Sequence, residues 1–200
     1  MEDLTVACVY TPGGGFTDEY VRRLQAAISA NCAAPYRFVC LTNARLDRIE
    51  TAPLVNKWRG WWGKVELFRK GLFDGPVRYF DLDTVIVSDV TDILMYPHEF
   101  TTGTNWKRPD TIASGFLAWD GREDLSYLVD EFDPATAHPR GDQAFIQAHL
   151  RRPRVGLDEL FPGRWVSYKY HVRGKGIPSG ASIIAFHGAP RPHQVGWRVE

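Results

Sequence analysis

Short apolar, β-branched runs alternate with helical stripes along the first half of the chain. Residues 4–10 (LTVACVY), apolar but for Thr5 and of strand length, read as a buried strand. The loop Thr11-Pro12-Gly13-Gly14-Gly15 follows. Thr17 then stands as an N-cap, with Asp18 and Glu19 in the first turn, where the helix dipole favours negative charge. Tyr20, Leu24, Ala27 and Ile28 recur at helical spacing. Residues 36–41 (YRFVCL) read as a second strand, closed by Thr42-Asn43. Strand, helix, strand of this length predicts a βαβ unit and a parallel sheet. A helix is predicted over 64–70, with Val65, Phe68 and Leu72 inward, and a third strand over 77–80, ending in Asp81-Leu82-Asp83. Thereafter the pattern loosens: strands over 115–119 and 182–186, helices over 123–132 and 142–150, and irregular chain over 151–180, rich in Gly, Pro and basic residues. With no repeat, linker or low-complexity tract, one domain over 1–200 is expected: an α/β fold, its sheet largely parallel in the N-terminal half and flanked by helices.

A chain of 200 residues can bury a core without disulfide staples. Its 24 basic and 24 acidic residues cancel, which argues against a nucleic-acid partner and against a solvated acidic tail. No stretch is long and apolar enough to span a bilayer. The acidic start Met1-Glu2-Asp3 lacks the features of a secretory signal. Cys8, Cys32 and Cys40 are odd in number and have no metal-ligand spacing. They read as reduced thiols of a cytoplasmic protein, each filling a small apolar position.

The chemistry concentrates at Asp81 and Asp83. Ligands of open α/β sheets bind beyond the carboxyl ends of strands, where this pair stands. Positions two apart in extended chain lie on one side, and two carboxylates held together repel unless a cation sits between them. Their hard oxygens suit Mg²⁺ or Mn²⁺, which would in turn hold a diphosphate. The competing reading is a pair of loop carboxylates that cap the helix after them. Two enzyme classes carry Asp-x-Asp at such a position. One is the haloacid-dehalogenase phosphatases, with Asp81 as nucleophile; Asp81, Asp83 and Val85 match that motif. There, however, the motif ends the first strand, whereas here a complete βαβ unit precedes it, and Thr84-Val85 replaces the usual Gly-Thr. The other is the GT-A glycosyltransferases.

The segment Asp81-Leu82-Asp83-Thr84-Val85-Ile86-Val87, followed by Asp92-Ile93-Leu94, resembles the Asp-x-Asp region of family 8, the glycogenin-like GT-A transferases. Lys64 resembles that family's lysine near the donor, Ser114-Gly115 its Asn-Ser-Gly strand, and Asp142-Gln143 its Asp-Gln pair. His187-Gly188 with Arg191-Pro192 resembles its closing His…Gly…Lys-Pro motif. The resemblance runs from about Val6 to Pro192. Ala113 stands in place of the Asn before Ser-Gly, and Arg191, closer to the His, in place of the lysine.

The resemblance implies a retaining transferase with a UDP-sugar donor, an acceptor glycan, small molecule or protein, and Mn²⁺ or Mg²⁺ held by Asp81, Asp83 and His187. It also implies that Gln143 approaches the donor sugar and that Leu82, Ser114, Gly115 and Gly188 join the donor site. The residues add their own expectations. His187 follows an apolar run, so it lies at a strand end; it serves there as a ligand that favours Mn²⁺ or simply as a hydrogen-bonded histidine. Lys64, Lys169, Arg173, Lys175 and Arg191 are candidate phosphate-binding cations, against the bland alternative of a solvated basic loop. Tyr10 and Thr11, with Thr42 and Asn43, stand at the ends of the first two strands, where the nucleoside is expected, Tyr10 stacking on the base. Asp142 suits acid–base or acceptor-orienting work, and equally an N-cap. Trp58, Trp61 and Trp62 fit helix packing, at the core or its edge, better than a sugar platform; Trp106 is the expected sugar contact. A nucleotide-sugar binding protein without catalysis is the third possibility.

Overall fold

The computed structural model describes residues 4–13 and 15–197. Its elements are β1 (Thr5–Val9), α1 (Asp18–Ala30), β2 (Arg37–Leu41), β3 (Glu50–Ala52), β4 (Pro76–Phe80), β5 (Thr84–Ile86), α2 (Thr91–Met95), β6 (Phe100–Thr104), β7 (Ile112–Asp120), α3 (Tyr127–Asp130), α4 (Asp142–His149), β8 (Val155–Gly156), α5 (Leu157–Leu160), β9 (Trp165–Ser167) and β10 (Ile183–Ala185). Seven strands form one sheet in the order β3-β2-β1-β4-β7-β6-β8. Its first four strands are parallel, β7 runs antiparallel between β4 and β6, and β8 is parallel to β6. A second sheet, β5-β10-β9, stands beside it.

The apolar run Val6–Val9 of β1 follows from burial on both faces. Val6 and Cys8 face α1, where Val21, Leu24 and Ile28 pack. Ala7 faces the other way, into a cluster with Val65, Phe68, Tyr79 and Trp119. Cys8 and Cys40 stand opposite each other on β1 and β2 as buried free thiols, and Cys32 is half-buried. Thr17 occupies the cap position of α1, but its side chain makes no capping hydrogen bond; only the acidic first turn acts as expected.

Several elements differ from the sequence expectation. The helix expected over 64–70 is a 3-10 run, Gly60–Phe68. It starts at a glycine with φ +60° and passes Gly63, where a Cβ would come within 3.3 Å of Thr11 and Val9. The buried Glu66 carboxylate then accepts the backbone N–H groups of Val55 and Asn56, fixing the preceding loop. The helix expected over 123–132 contracts to α3, because Asp124 takes the Ser126 N–H in a turn. Residues 151–180 are more ordered than expected: they supply β8, α5, β9 and a π-turn, Tyr168–Val172. The short strands β3, β5, β8 and β9 lie below the length at which periodicity speaks. Between Thr102 and Gly103 the β6/β7 register shifts. A Cβ on Gly103 would lie 2.7 Å from the Ala113 carbonyl and 2.8 Å from the Trp165 ring, so only glycine fits there unchanged.

Candidate functional site

Parallel β1 and β4 deliver Val9 and Asp81 to one end of the sheet, where a cavity of about 1070 Å³ opens. Antiparallel β7 lies beside β4 with Phe80 opposite Phe116, and the Asp81 N–H donates to the Gly115 carbonyl at 2.9 Å. This brings Ser114 and Gly115 against the acidic pair. The 3-10 run adds Lys64, and the start of α4 adds Asp142 after Gly141, whose φ of +83° suits glycine.

Lys64 is the hub. Its buried ammonium lies 2.6 Å from Asp142 Oδ2 and 2.9 Å from Asp81 Oδ1, and donates to the Ser114 carbonyl and hydroxyl at 3.2 and 3.1 Å. Burial pulls its pKa down, but the Asp142 and Asp81 carboxylates outweigh this and hold it above the ordinary lysine range. The Ser114 hydroxyl donates to Asp142 at 2.8 Å, and the Tyr79 hydroxyl donates to Asp81. Burial and then the Asp81 charge raise the Tyr79 pKa well above the usual phenol range, so the phenol remains a donor. Asp142 is thus pinned on two sides, which suits an orienting carboxylate rather than a mobile base. Gln143, next to it, lines the cavity.

Asp83 sits deeper. It is ion-paired with Arg191, whose guanidinium also stacks over the Phe16 ring at 4.5 Å. Even so, burial first and the Asp81 charge second push its pKa up to about 7, against the pull of Arg191 and Lys64. The carboxylate oxygens of such a pair are hard ligands of the kind that suits a divalent cation. His187 lines the same cavity. Its Nε2 shares a hydrogen bond of 2.7 Å with the Ser167 hydroxyl, and its ring stacks on Trp106 and Tyr170. Burial, helped by Lys169 and Lys107, lowers its pKa, which favours the neutral, ligating form. Among the described residues no three His, Cys, Asp or Glu side chains are gathered as a metal cluster. As they stand, Asp81 is held by Lys64 and Tyr79, Asp83 by Arg191, and His187 by Ser167.

No family model and no curated protein sequence matches this chain. Solved structures do. GlyE, a glycosyltransferase of Streptococcus pneumoniae TIGR4, aligns at TM-score 0.65 with 11% identity, over 95% of this chain and 56% of its own. The galactosyltransferase LgtC, solved in complex with donor and acceptor sugar analogues, aligns at TM-score 0.65 with 10% identity, over 94% of this chain and 88% of its own. WbbM, a bifunctional glycosyltransferase, aligns at TM-score 0.67 with 12% identity, over 95% of this chain and 46% of its own. The fold is that of the GT-A glycosyltransferases. This chain spans little more than half of GlyE and less than half of WbbM.

On the GT-A frame, most of the expected site residues meet. Thr11, Lys64, Asp81, Leu82, Asp83, Ser114, Gly115, Asp142, Gln143, Lys169, His187, Gly188 and Arg191 all line the cavity. Three expectations are corrected. Tyr10 points into the core with α1 instead of into the cavity, because it falls on the opposite face of the strand end from Val9. Thr42 and Asn43 lie outside the cavity. Asn43 ties the Leu54 backbone through both its N–H and its carbonyl, and the Thr42 hydroxyl accepts the Ala44 N–H. Arg173 and Lys175 are exposed and away from the cavity wall, with Lys175 donating to the Tyr170 carbonyl.

Trp58 and Trp62 pack on Phe132 as expected, but Trp61 is 62% exposed and lines the cavity. Trp106 is in the cavity wall, stacked on Trp165. Phe16, Tyr79 and Trp165 are cavity residues that the sequence reading missed. A lone aromatic just after the glycine run was the available signal for Phe16.

Proposed function

We propose that this chain is a metal-dependent glycosyltransferase that moves a sugar from a UDP-sugar to an acceptor hydroxyl. The observation that carries the reading is the Asp81/Asp83 pair, set beside cations at the strand end of a large cavity in a GT-A fold. Asp81 and Asp83, joined by His187 once it leaves Ser167, would hold Mn²⁺ or Mg²⁺. Bound there, the ion would neutralise charge on the diphosphate.

The chain's own groups do the rest. Lys169 and Arg191 stand in the cavity wall as the further cations for phosphate oxygens, with a guanidinium fork in place of the family's lysine. Phe16 takes the base-stacking role expected of Tyr10, with Thr11 beside it. Lys64 fixes the Asp81 and Asp142 carboxylates, so Asp142 offers an oriented acceptor to hydroxyls of the donor sugar and Gln143 approaches from the next position. The bond from the anomeric carbon to the diphosphate oxygen breaks, the acceptor oxygen bonds to that carbon, and the acceptor's proton is released. Preorganised cations around the departing diphosphate lower the barrier.

Thermal unfolding with UDP tests the reading. UDP raises the melting temperature with Mn²⁺ or Mg²⁺ present, as ligand linkage requires, and fails to do so in excess chelator. Asp83→Ala abolishes turnover of UDP-sugars, and His187→Ala weakens Mn²⁺ affinity in the presence of UDP. Equal stabilisation in chelator, or wild-type turnover by Asp83→Ala, overturns the proposal. Metal-dependent hydrolysis of para-nitrophenyl phosphate without UDP-sugar turnover marks the phosphatase instead, and UDP binding without any turnover marks a binding protein.

A further inference from the structure

Trp61 is the most exposed large hydrophobic side chain among the described residues, at 62%, yet it stands in the cavity wall rather than on open surface. Isolated apolar residues on a surface call for no explanation; a held one beside reactive groups does. The segment that bears it is anchored on both sides. Trp58 and Trp62 pack on Phe132, and the Thr11 hydroxyl donates to the Gly60 carbonyl at 3.3 Å.

The indole lies against the start of α4. A Cβ on Gly141 would come 3.3 Å from its Nε1, so the ring reaches the backbone immediately before Asp142 and Gln143. That N–H makes no hydrogen bond among the described residues, and the ring joins no core cluster. An apolar plate with a spare donor at its edge, beside Arg140 and adjoining the Asp142-Gln143 pair that serves the donor sugar, offers two kinds of contact. It presents a flat face to C–H groups and planar polar groups to hydroxyls. A sugar ring has that pairing; an acyl chain or an anion does not.

Contacts order the site. Arg191 pairs with Asp83, Lys64 joins Asp81 to Asp142, and Gly141 touches Trp61. Along this path the Lys64 cluster separates the Arg191–Asp83 pair from the Trp61 indole, while Thr11 reaches the Trp61 segment at Gly60. We propose that Trp61 is the platform of an acceptor subsite, and that the acceptor hydroxyl belongs to a hexopyranose whose C–H face stacks on the indole. The proposal rests on the transferase reading above and names the acceptor class for it.

Saturation-transfer NMR with methyl α- and β-D-glucopyranoside and methyl α- and β-D-galactopyranoside tests this, in the presence of Mg²⁺ and UDP. At least one of the four receives saturation at its ring C–H protons from the wild-type protein. Trp61→Ala lowers that saturation about fivefold, and Trp61→Tyr retains at least about half of it, the change expected from losing and keeping a stacking face. Far-UV circular dichroism and melting curves verify that both variants fold. Undiminished saturation in Trp61→Ala overturns the proposal. So does an absence of saturation from all four glycosides in wild-type protein whose melting temperature is raised by Mg²⁺ and UDP. A wild-type protein that Mg²⁺ and UDP leave unshifted overturns the transferase reading itself, and the acceptor assignment with it.

Discussion

Replacing Lys64 by Met keeps the length and most of the volume of a buried side chain and deletes its charge. In the native protein that charge compensates two carboxylates, Asp142 at 2.6 Å and Asp81 at 2.9 Å. The Asp81 side chain is 34% exposed and can be rehydrated when the ammonium goes. The Asp142 side chain is 12% exposed and would be left with the Ser114 hydroxyl as its side-chain partner. The cost therefore falls on Asp142. Breaking a buried ion pair by removing one partner costs about 3–5 kcal/mol. For a chain of this size that corresponds to a melting temperature lower by about 6–20 °C.

The assay is urea unfolding at pH 7 in chelator, followed by tryptophan fluorescence and far-UV circular dichroism, so that no added cation replaces the ammonium. The double variant Lys64→Met/Asp142→Asn removes the stranded charge and recovers at least about 2 kcal/mol of the loss, a coupling energy typical of residues in one network. A single variant within about 1 kcal/mol of wild type would refute the reasoning. So would a double variant no more stable than the single one, since both results would mean that Asp142 does not depend on Lys64.

Asn43→Ala lowers stability by about 1–3 kcal/mol by stranding both backbone groups of Leu54, and leaves the shift produced by Mn²⁺ and UDP intact; a lost UDP shift in a folded variant would return Asn43 to the nucleoside site. Gly103→Ala is destabilised by about 1–3 kcal/mol in urea melts, because its Cβ meets the Ala113 carbonyl and the Trp165 ring; wild-type stability would show that β6 yields at no cost. His98 is buried against the Ile93 carbonyl and the Thr101 hydroxyl, and burial, then the Arg78 charge, lowers its pKa from 6.5 to about 4. The unfolded chain binds this proton at higher pH than the native protein does, so stability falls as pH drops from about 6.5 to about 4, by about 3 kcal/mol in all. His98→Gln flattens that part of the stability–pH curve; an unchanged acid slope would exclude His98 as its source.

The sequence by itself determined the opening βαβ unit. The runs before Thr11 and Thr42 are apolar but for Thr5 and Arg37, because both faces of β1 and of β2 beyond Arg37 are covered, and hydrophobic burial writes that directly into residue type. It also placed Asp81 and Asp83 at a strand end, since a charged pair cannot continue a buried strand, and it picked out the Ser114-Gly115, Asp142-Gln143 and His187 segments that meet there.

Tertiary structure decided which neighbours became partners. Tyr10 and Thr11 are adjacent and equally suited to a nucleoside, but alternation along the strand sends one to the core and the other to the cavity. Asn43 is a plausible ligand until the loop before Leu54 arrives and takes both ends of its amide. Trp61 and Trp62 are indistinguishable in composition, and only the turn of the 3-10 run separates the packed ring from the exposed one. The three-residue strands β5, β9 and β10 form a sheet through pairings between segments far apart in the chain, so no local pattern announces it. The Lys64–Asp81–Asp142 cluster has the same origin. Charges that look solvated in sequence become a buried ion network only when β4, β7, α4 and the 3-10 run converge, because electrostatic partnership depends on distance in space and on exclusion of water.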